Sequence, residues 1–510
     1  MRIPLNRNSS VPLYRQIYSF LKRQIRSGKL PPETKLPASR AMASSLGVSR
    51  ITVCNAYAEL EAEGLVYARA GSGTYIAHSQ DSFLERKAEF SATRDWPMWQ
   101  QELLSRTWEP VHNEMDELIT SVDHPDLISF SAGLGAKELF PIDEFGRTMR
   151  RVFRRDGSAA MEYGDPAGYP PLRETIAQIL TSQGVPTGAE EVLVTSGSMQ
   201  AIALVAYLTL RPGDVVLVES PTYSMTIDLF RSMGARILGV PVDSQGMVVE
   251  QLETALQASQ PRLIYTIPTF HNPTGTCMSG QRRRMLIALA DRYNVPILED
   301  DFAGDLRYES RAQPALKALD PGGQVIYIST FSKMLMPALR VGSLVASGPV
   351  LGRLLALKRT MDLATSNLMQ RALEAYITVG RYQAHLRRAC RFYRRRRDVM
   401  LDALERFMPT GVQWRKPNGG LFLWLQLPEG CSADELFLQS SKEGVVFAPG
   451  SFFFPGQRVK HFLRLNFTIQ TSERTLEGIE RLGRAIGAYL SSRSDTLSES
   501  LETKVFHTTV

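Results

Sequence analysis

Residues 329–340 read STFSKMLMPALR. The β-branched run before them, Val325–Ser329, reads as a buried strand that ends in a hydroxyl-rich turn. Lys333 leaves that turn, and Arg340 comes seven residues later. A Ser-Lys pair alone carries little information, so its meaning depends on what the neighbouring strands bring to it. Upstream, short β-branched runs alternate with helical periodicity: Glu191–Thr195, Val215–Glu219, Arg236–Val240, Leu263–Ile267 and Pro296–Glu299. Apolar strands alternating with helices predict an α/β domain whose mostly parallel sheet is covered on both faces.

These strands end in residues of complementary chemistry. Ser196-Gly197-Ser198-Met199-Gln200 lies between a strand and a helix, where backbone N–H groups favour an anion. Tyr223 comes after Val215–Glu219, Asn272 closes another strand within HNPTG, and Asp300 comes after Pro296–Glu299. A pyridoxal 5′-phosphate (PLP) site needs a lysine for a Schiff base and an acid opposite the pyridine nitrogen. It also needs cationic and amide donors for the phosphate and a donor to the 3′-oxygen. Lys333 and Asp300 meet the first two requirements. Arg340, the helix start at Ser198 and Met199, and the hydroxyls of Ser332 and Thr330 suit the phosphate. Asn272 suits the 3′-oxygen, and Tyr223 can stack on the ring. Asp301 is an alternative to Asp300.

The first eighty residues read differently. LYRQIYSFLKRQIRS (13–27) places Leu13, Ile17, Phe20, Leu21 and Ile25 on one helical stripe. A short helix is expected from Ala38 to Leu46, a turn at Gly47-Val48, and a third helix from the cap Ser49 to Gly64 with Val53, Ala56, Tyr57 and Leu60 inward. Two short strands around Gly71-Ser72-Gly73 make a wing. This is a winged helix-turn-helix, mainly α with a β wing. The second helix of such a motif enters the major groove, so Ser49, Arg50, Thr52 and Asn55 are expected to face DNA. Ser39 and Arg40 lie against the backbone, and Arg69, Gly71 and Gly73 near the minor groove. A winged helix used for protein contacts is the alternative.

Charge supports the DNA reading. Residues 1–80 hold eleven basic and four acidic residues, while the remaining chain has forty-eight of each sign. All of the net +7 therefore sits in the first sixth, which suits a phosphate backbone. No apolar run reaches the roughly 18–20 residues that cross a membrane, and no signal segment opens the chain. The cysteines at 54, 277, 390 and 431 lack paired or metal-ligand spacing, so a reducing cytoplasm and no metal are expected.

The 510 residues divide into a DNA-binding domain (1–78), a linker (79–126), an α/β domain with a small α+β C-terminal lobe (127–490) and a polar, frayed tail (491–510). The linker carries Trp96, Trp99 and Trp108, and its second half is expected to form a helix docked on the α/β domain. The run Arg387–Arg397 reads as a solvated helix face, with a second DNA contact as the alternative.

Both parts of the chain resemble known families. Pro12-Leu13-Tyr14, Gly28-Lys29-Leu30, Lys35–Arg40, Leu46–Arg50 and Glu61–Leu65 resemble the GntR family of bacterial regulators. Residues 127–490 resemble fold-type I aminotransferases, and the two together resemble the MocR subfamily. The resemblance implies that Lys333 carries PLP as an internal aldimine, with Asp300, Asn272, Arg340, Ser198 and Ser332 as cofactor ligands. It implies that Tyr163 reaches the partner subunit's phosphate and that Arg464 clamps an effector's carboxylate. An Arg464 held in an internal salt bridge would favour sensing of PLP itself. It further implies a head-to-tail homodimer that binds operator DNA and contacts RNA polymerase in the bacterial cytoplasm, associated with the nucleoid when bound to DNA. Function then lies in sensing an amino acid, an amino sulfonate or PLP at Lys333, with residual transamination at most. A working aminotransferase with an accessory DNA-binding head is the second reading, and a scaffold without cofactor the third. One departure stands out: Phe302 occupies a place where the resembling enzymes usually have a tyrosine whose hydroxyl touches the 3′-oxygen. Its loss would slow transamination without preventing PLP binding.

Overall fold

The computed structural model describes residues 3–7, 12–26, 29–63, 65–69, 72–77, 98–99, 118–120, 122, 124, 126–309, 312–456 and 459–505. They fall into two compact units that divide after Trp108.

The first unit contains helices α1 (Leu13–Arg26), α2 (Ser39–Leu46) and α3 (Arg50–Ala62), then an antiparallel hairpin of β1 (Val66–Arg69) and β2 (Gly73–Ile76). Ile17 and Leu21 of α1 meet Val53, Ala56 and Leu60 of α3 in one buried core, closed by Val66 and Ile76 of the wing. The turn between α2 and α3 depends on Gly47, whose φ of +59° lets its N–H reach the carbonyls of Ala43 and Ser44. Ser49 then caps α3, its hydroxyl accepting the Thr52 N–H.

The second unit opens on β3 (Ile128–Ser129). Its main sheet is built from β4 (Val192–Thr195), β5 (Val215–Ser220), β6 (Arg236–Asp243), β7 (Gly246–Met247), β8 (Leu263–Thr266), β9 (Ile297–Asp301), β10 (Val325–Thr330) and β11 (Gly342–Val345). Their order across the sheet is β4-β11-β10-β9-β8-β5-β6-β7. Strands β6, β5, β8, β9 and β10 are parallel to their neighbours in that series. Side chains alternate between two cores: Val216, Val218, Tyr265 and Leu298 belong to one, and Val215, Leu217, Ile264 and Ile297 to the other. Burial on both faces is why these strands read as continuous apolar runs.

The sequence reading misses β11, which runs antiparallel to both β4 and β10. Only residues 331–341 link it to β10, too few for the crossover that a parallel neighbour requires. That short return holds Lys333 and Arg340.

A smaller lobe carries β12 (Gln413–Trp414), β13 (Phe422–Gln426), β14 (Val445–Val446), β15 (Ala448–Pro449) and β16 (Phe462–Asn466). Four of these form an antiparallel sheet in the order β12-β13-β16-β15, while β14 pairs in parallel with β3. The last helix runs from Ser472 to Val505, past Ser491, where the sequence reading begins a frayed tail. Near the end of the linker, Leu118, Ile119 and Val122 pack on the core of the second unit. Trp99 is 60% exposed, and Trp96 and Trp108 lie outside the described residues.

A Gly47→Val substitution forces a branched side chain into the left-handed region and is expected to destabilise the first unit by about 1–2 kcal/mol. The measurement is the shift of its unfolding transition in urea. An unchanged midpoint would show that the turn tolerates a different conformation.

Candidate functional site

The carboxyl ends of the parallel strands face one side of the sheet, the usual position for a ligand crevice. A cavity of about 440 Å³ lies there, and its wall includes Lys333, Asp300, Asn272, Ser198, Tyr223 and Arg464. The sequence reading therefore names six residues, drawn from positions 198 to 464, that the fold brings to one cavity.

Asp300 sits near the end of β9 and is 3% exposed. Its Oδ2 accepts from the Tyr265 hydroxyl at 2.8 Å, while its buried Oδ1 has no partner. Burial pushes its carboxyl up to about 7, helped by Asp301 and Glu219 and opposed by the Tyr265 bond and Lys333. Asp301, the alternative, faces elsewhere. It accepts from Tyr327 at 2.7 Å and lines a separate small cavity beside Asp305 and Tyr382. The two-residue period of the strand separates these adjacent acids.

Arg464 projects from β16 and is 3% exposed. It donates from Nη1 to Asn272 Oδ1 at 2.8 Å and from Nη2 to the Ser131 carbonyl at 2.5 Å. Its guanidinium carbon lies 4.1 Å from the ring centre of Phe422 and 4.8 Å from that of Phe453. No ion pair to it occurs among the described residues, and its buried Nε has no partner. Burial pulls Arg464 down to about 9, so it remains a cation at neutral pH. Because Arg464 can only donate, it commits the oxygen of Asn272 and leaves that side chain's NH₂ as the available donor. Behind Asn272, buried His271 lies 3.3 Å from Glu219, which also accepts the Ile267 N–H at 2.7 Å.

An anion cup borders the cavity at the start of α4 (Ser198–Thr209), which Ser198 opens. Arg340 reaches across to donate from Nη2 to the Ser196 carbonyl at 2.8 Å. Gly197 has φ of +105°, and a Cβ there would lie 2.8 Å from that guanidinium. Ser196 is anchored by Gln200, whose amide donates to Asp362 at 2.8 Å. Fully buried Lys358 donates to the same carboxylate at 3.0 Å. Lys358 and Asp362 lie about 160 residues from the loop they brace, and nothing in local sequence marks them.

Lys333 donates from Nζ to the Gly133 carbonyl at 2.6 Å. Burial lowers its amine to about 8, with Arg464 and Arg340 adding repulsion and Asp300 opposing. Phe302 lines the same cavity and stacks on Phe422 with 6.3 Å between ring centres. No hydroxyl is available at position 302.

Other expected residues are placed differently. Thr330 is buried: its hydroxyl lies 3.1 Å from Ser332 Oγ and 3.5 Å from the Val341 carbonyl, and it lines the small Asp301 cavity. Ser332 is buried beside it, and Met199 packs on the core from the first turn of α4. Tyr163 is 84% exposed and lines a surface groove with Asn367, away from its own chain's cavity. Arg387–Arg397 falls within the helix Arg381–Phe407 and is not a uniform solvated face. Arg397 is fully buried against Glu309 and Asp398, and Arg396 pairs with Glu138.

In the first unit, Arg40, Ser49, Arg50 and Asn55 are exposed, with Ser39 and Thr52 partly so. Arg50 Nε lies 3.3 Å from Ser39 Oγ, and Ser49 bonds Thr52 as the cap. Arg69 is less free than expected, since it pairs with Glu33 at 3.1 Å and packs over Tyr67 and Tyr75. Gly73 opens β2, and Gly71 lies outside the described residues. All four cysteines are free, and no metal-binding cluster occurs among the described residues. No described helix is long and apolar enough to cross a membrane.

Family models match both units: residues 126–482 fit aminotransferase class I and II, and residues 13–76 fit the bacterial regulatory proteins of the gntR family. Aromatic-amino-acid aminotransferase 1 of Thermococcus litoralis is 38% identical over 73% of this chain and 91% of its own. A Rhizobium meliloti protein named "Probable rhizopine catabolism regulatory protein MocR" is 31% identical over 96% of both. The structure of Pyrococcus horikoshii kynurenine aminotransferase, solved with PMP, superposes with a TM-score of 0.72 at 37% identity, covering 74% of this chain and 95% of that one. With a DNA-binding gntR head joined to a fold-type I, PLP-aminotransferase-like domain over nearly the whole length of such a regulator, the chain belongs to the MocR-type regulators of the GntR family.

Proposed function

We propose that the protein is a PLP-dependent transcription regulator in which an amino acid, an amino sulfonate or PLP itself is sensed at Lys333 and changes operator binding. One observation carries this reading: a single cavity holds a reactive amine together with a buried acid and a buried cation, the latter two each with an atom lacking any partner. Such groups are costly to bury alone and match the two ends of a ligand pair. The free Oδ1 of Asp300 fits a protonated pyridine nitrogen. The NH₂ of Asn272 fits the 3′-oxygen, and Ser198, the start of α4 and Arg340 fit the phosphate. The buried cation of Arg464, with its unpartnered Nε, fits an effector's carboxylate or sulfonate.

When bound, PLP supplies an aldehyde carbon that primary amines attack and a conjugated ring whose colour reports the exchange. The chain does the rest. Burial and the two arginines let Lys333 shed its proton near neutrality, which frees the lone pair for attack. Gly133 holds the amine at the cavity wall. Phe302 and Phe422 exclude water from one side without offering a hydroxyl. Tyr163, exposed on the surface, suits a role in a partner subunit's site, in a head-to-tail dimer. Output runs through α3, where Arg50, Thr52 and Asn55 can meet bases or phosphates, and through contact with RNA polymerase. Turnover as an aminotransferase is the second reading, favoured by the 38% identity to an aromatic-amino-acid aminotransferase.

The test is a spectral titration of the PLP-loaded protein with amino acids and amino sulfonates, alongside operator binding. A band shift that tracks operator affinity is expected. No shift with any acid-bearing amine, and no response of operator binding to PLP, would sink the proposal, whereas sustained turnover lost in Lys333→Ala would favour the enzyme. Arg464→Met should weaken acid-bearing amines roughly ten- to hundredfold, as for a lost charge-assisted hydrogen bond, and spare simple alkyl amines. The rate of PLP attachment should rise with pH to a midpoint near 8, since the deprotonated amine reacts. A midpoint near that of free lysine would contradict the depressed Lys333. Arg50→Ala should weaken operator binding and reduce the slope of log affinity against log salt by about one. An unchanged slope would place Arg50 off the phosphates.

A further inference from the structure

Tyr265 belongs to none of the motifs that mark the site. It lies on β8, fully buried, opposite Leu298 on the parallel strand β9. Leu298 and Asp300 are two residues apart and so share a face of the sheet. The tyrosine ring therefore reaches along that face and places its hydroxyl 2.8 Å from Asp300 Oδ2. An edge contact from Phe230, with ring centres 6.0 Å apart, holds the ring. Thr226 faces the same hydroxyl from the helix Ser224–Ser232.

We propose that Tyr265 is a positioning residue of the cofactor site, orienting Asp300 so that its free Oδ1 meets the cofactor's ring nitrogen as an ionised acceptor. This rests on the cofactor reading given above. Burial keeps the Tyr265 phenol protonated far above neutral pH, so it acts as a donor. A donor on Oδ2 favours the charged carboxylate and leaves Oδ1 as the oxygen without a partner. The charged groups facing Asp300 are Asp301 on its own strand, Glu219 in β5 and Lys333 after β10. The first two acids favour the protonated acid. Lys333 favours the carboxylate, but its charge would change if it held a cofactor. Of these two stabilising groups, the Tyr265 hydroxyl is the one whose bond does not depend on the state of the lysine. Without it, the protonated acid gains ground at Asp300 and its hold on a ring nitrogen weakens.

The experiment compares Y265F, D300N and the double variant in the full chain. It reads the dissociation constant of PLP, the pH midpoint of the holoprotein's visible bands, and thermal unfolding. D300N should weaken PLP and move the midpoint. Y265F should weaken PLP roughly ten- to hundredfold, the range for a hydrogen bond to a charged group. It should move the midpoint in the same direction by less, and add nothing in the D300N background. Wild-type affinity and midpoint in Y265F, with D300N impaired, would overturn the role of Tyr265. No effect of D300N on either would overturn the cofactor reading itself. Should Y265F not fold, 3,5-difluorotyrosine at 265 donates a stronger bond in the same place. It should move the midpoint the opposite way, and no movement would again overturn the proposal.

Discussion

Three consecutive carboxylates, Glu299, Asp300 and Asp301, end a strand covered on both faces, and much of the surrounding structure compensates for their burial. An unpaired buried charge costs several kcal/mol. Glu299 is answered by the N–H groups of Leu316 and Lys317 at 2.8 and 2.9 Å and by Arg283 at 4.0 Å. Arg283 is itself wholly buried and tied to the carbonyls of Pro268, Met278 and Pro314. These bonds draw the segment after β9 back across the sheet. Asp301 is answered by Tyr327 on β10 and Asp300 by Tyr265 on β8, and each keeps a buried oxygen without a partner. What distinguishes Asp300 is its place in the wall of the large cavity.

Much of this architecture is legible in the sequence. The strands are visible because burial on both faces leaves apolar runs, and the head is visible because its helices carry clear stripes and a capping serine. Lys333, Asp300, Asn272, Ser198, Tyr223 and Arg464 can be named from positions at strand ends. What escapes depends on contacts between distant segments. Strand β11 is a four-residue run of ordinary composition whose direction is set by a short return. Tyr265 looks like one more apolar residue in a buried strand, although a buried phenol usually needs a hydrogen-bond partner. Thr330 reads as free to meet a ligand because hydroxyls cluster around Lys333, but its own hydroxyl is engaged by Ser332 and the Val341 carbonyl. The arginine run looks uniform because composition does not show that the helix buries two of its members.

The two units divide the electrostatic work. Residues 1–108 carry +6 of the chain's net +7, so long-range attraction to a polyanion arises there. Residues 109–510 hold 44 basic and 43 acidic residues, and these charges act mainly at short range on one another. Arg464 shows how far that goes. One guanidinium ties β16 of the small lobe to Asn272 in the main domain and to Ser131 beside β3, while two phenyl faces hold it in plane. An anion entering the cavity that Arg464 lines would meet a cation already oriented and desolvated.

Phe302 lines the cavity and Gly197 immediately precedes Ser198 of its wall, but the two differ in mutational freedom. At 197 both the backbone angle and the guanidinium of Arg340 exclude any side chain, so every single substitution there damages the anion cup. At 302 the ring is one wall of the cavity, stacked on Phe422. The constraint at 197 therefore lies in the backbone itself, whereas at 302 it lies in the ring that the side chain packs against.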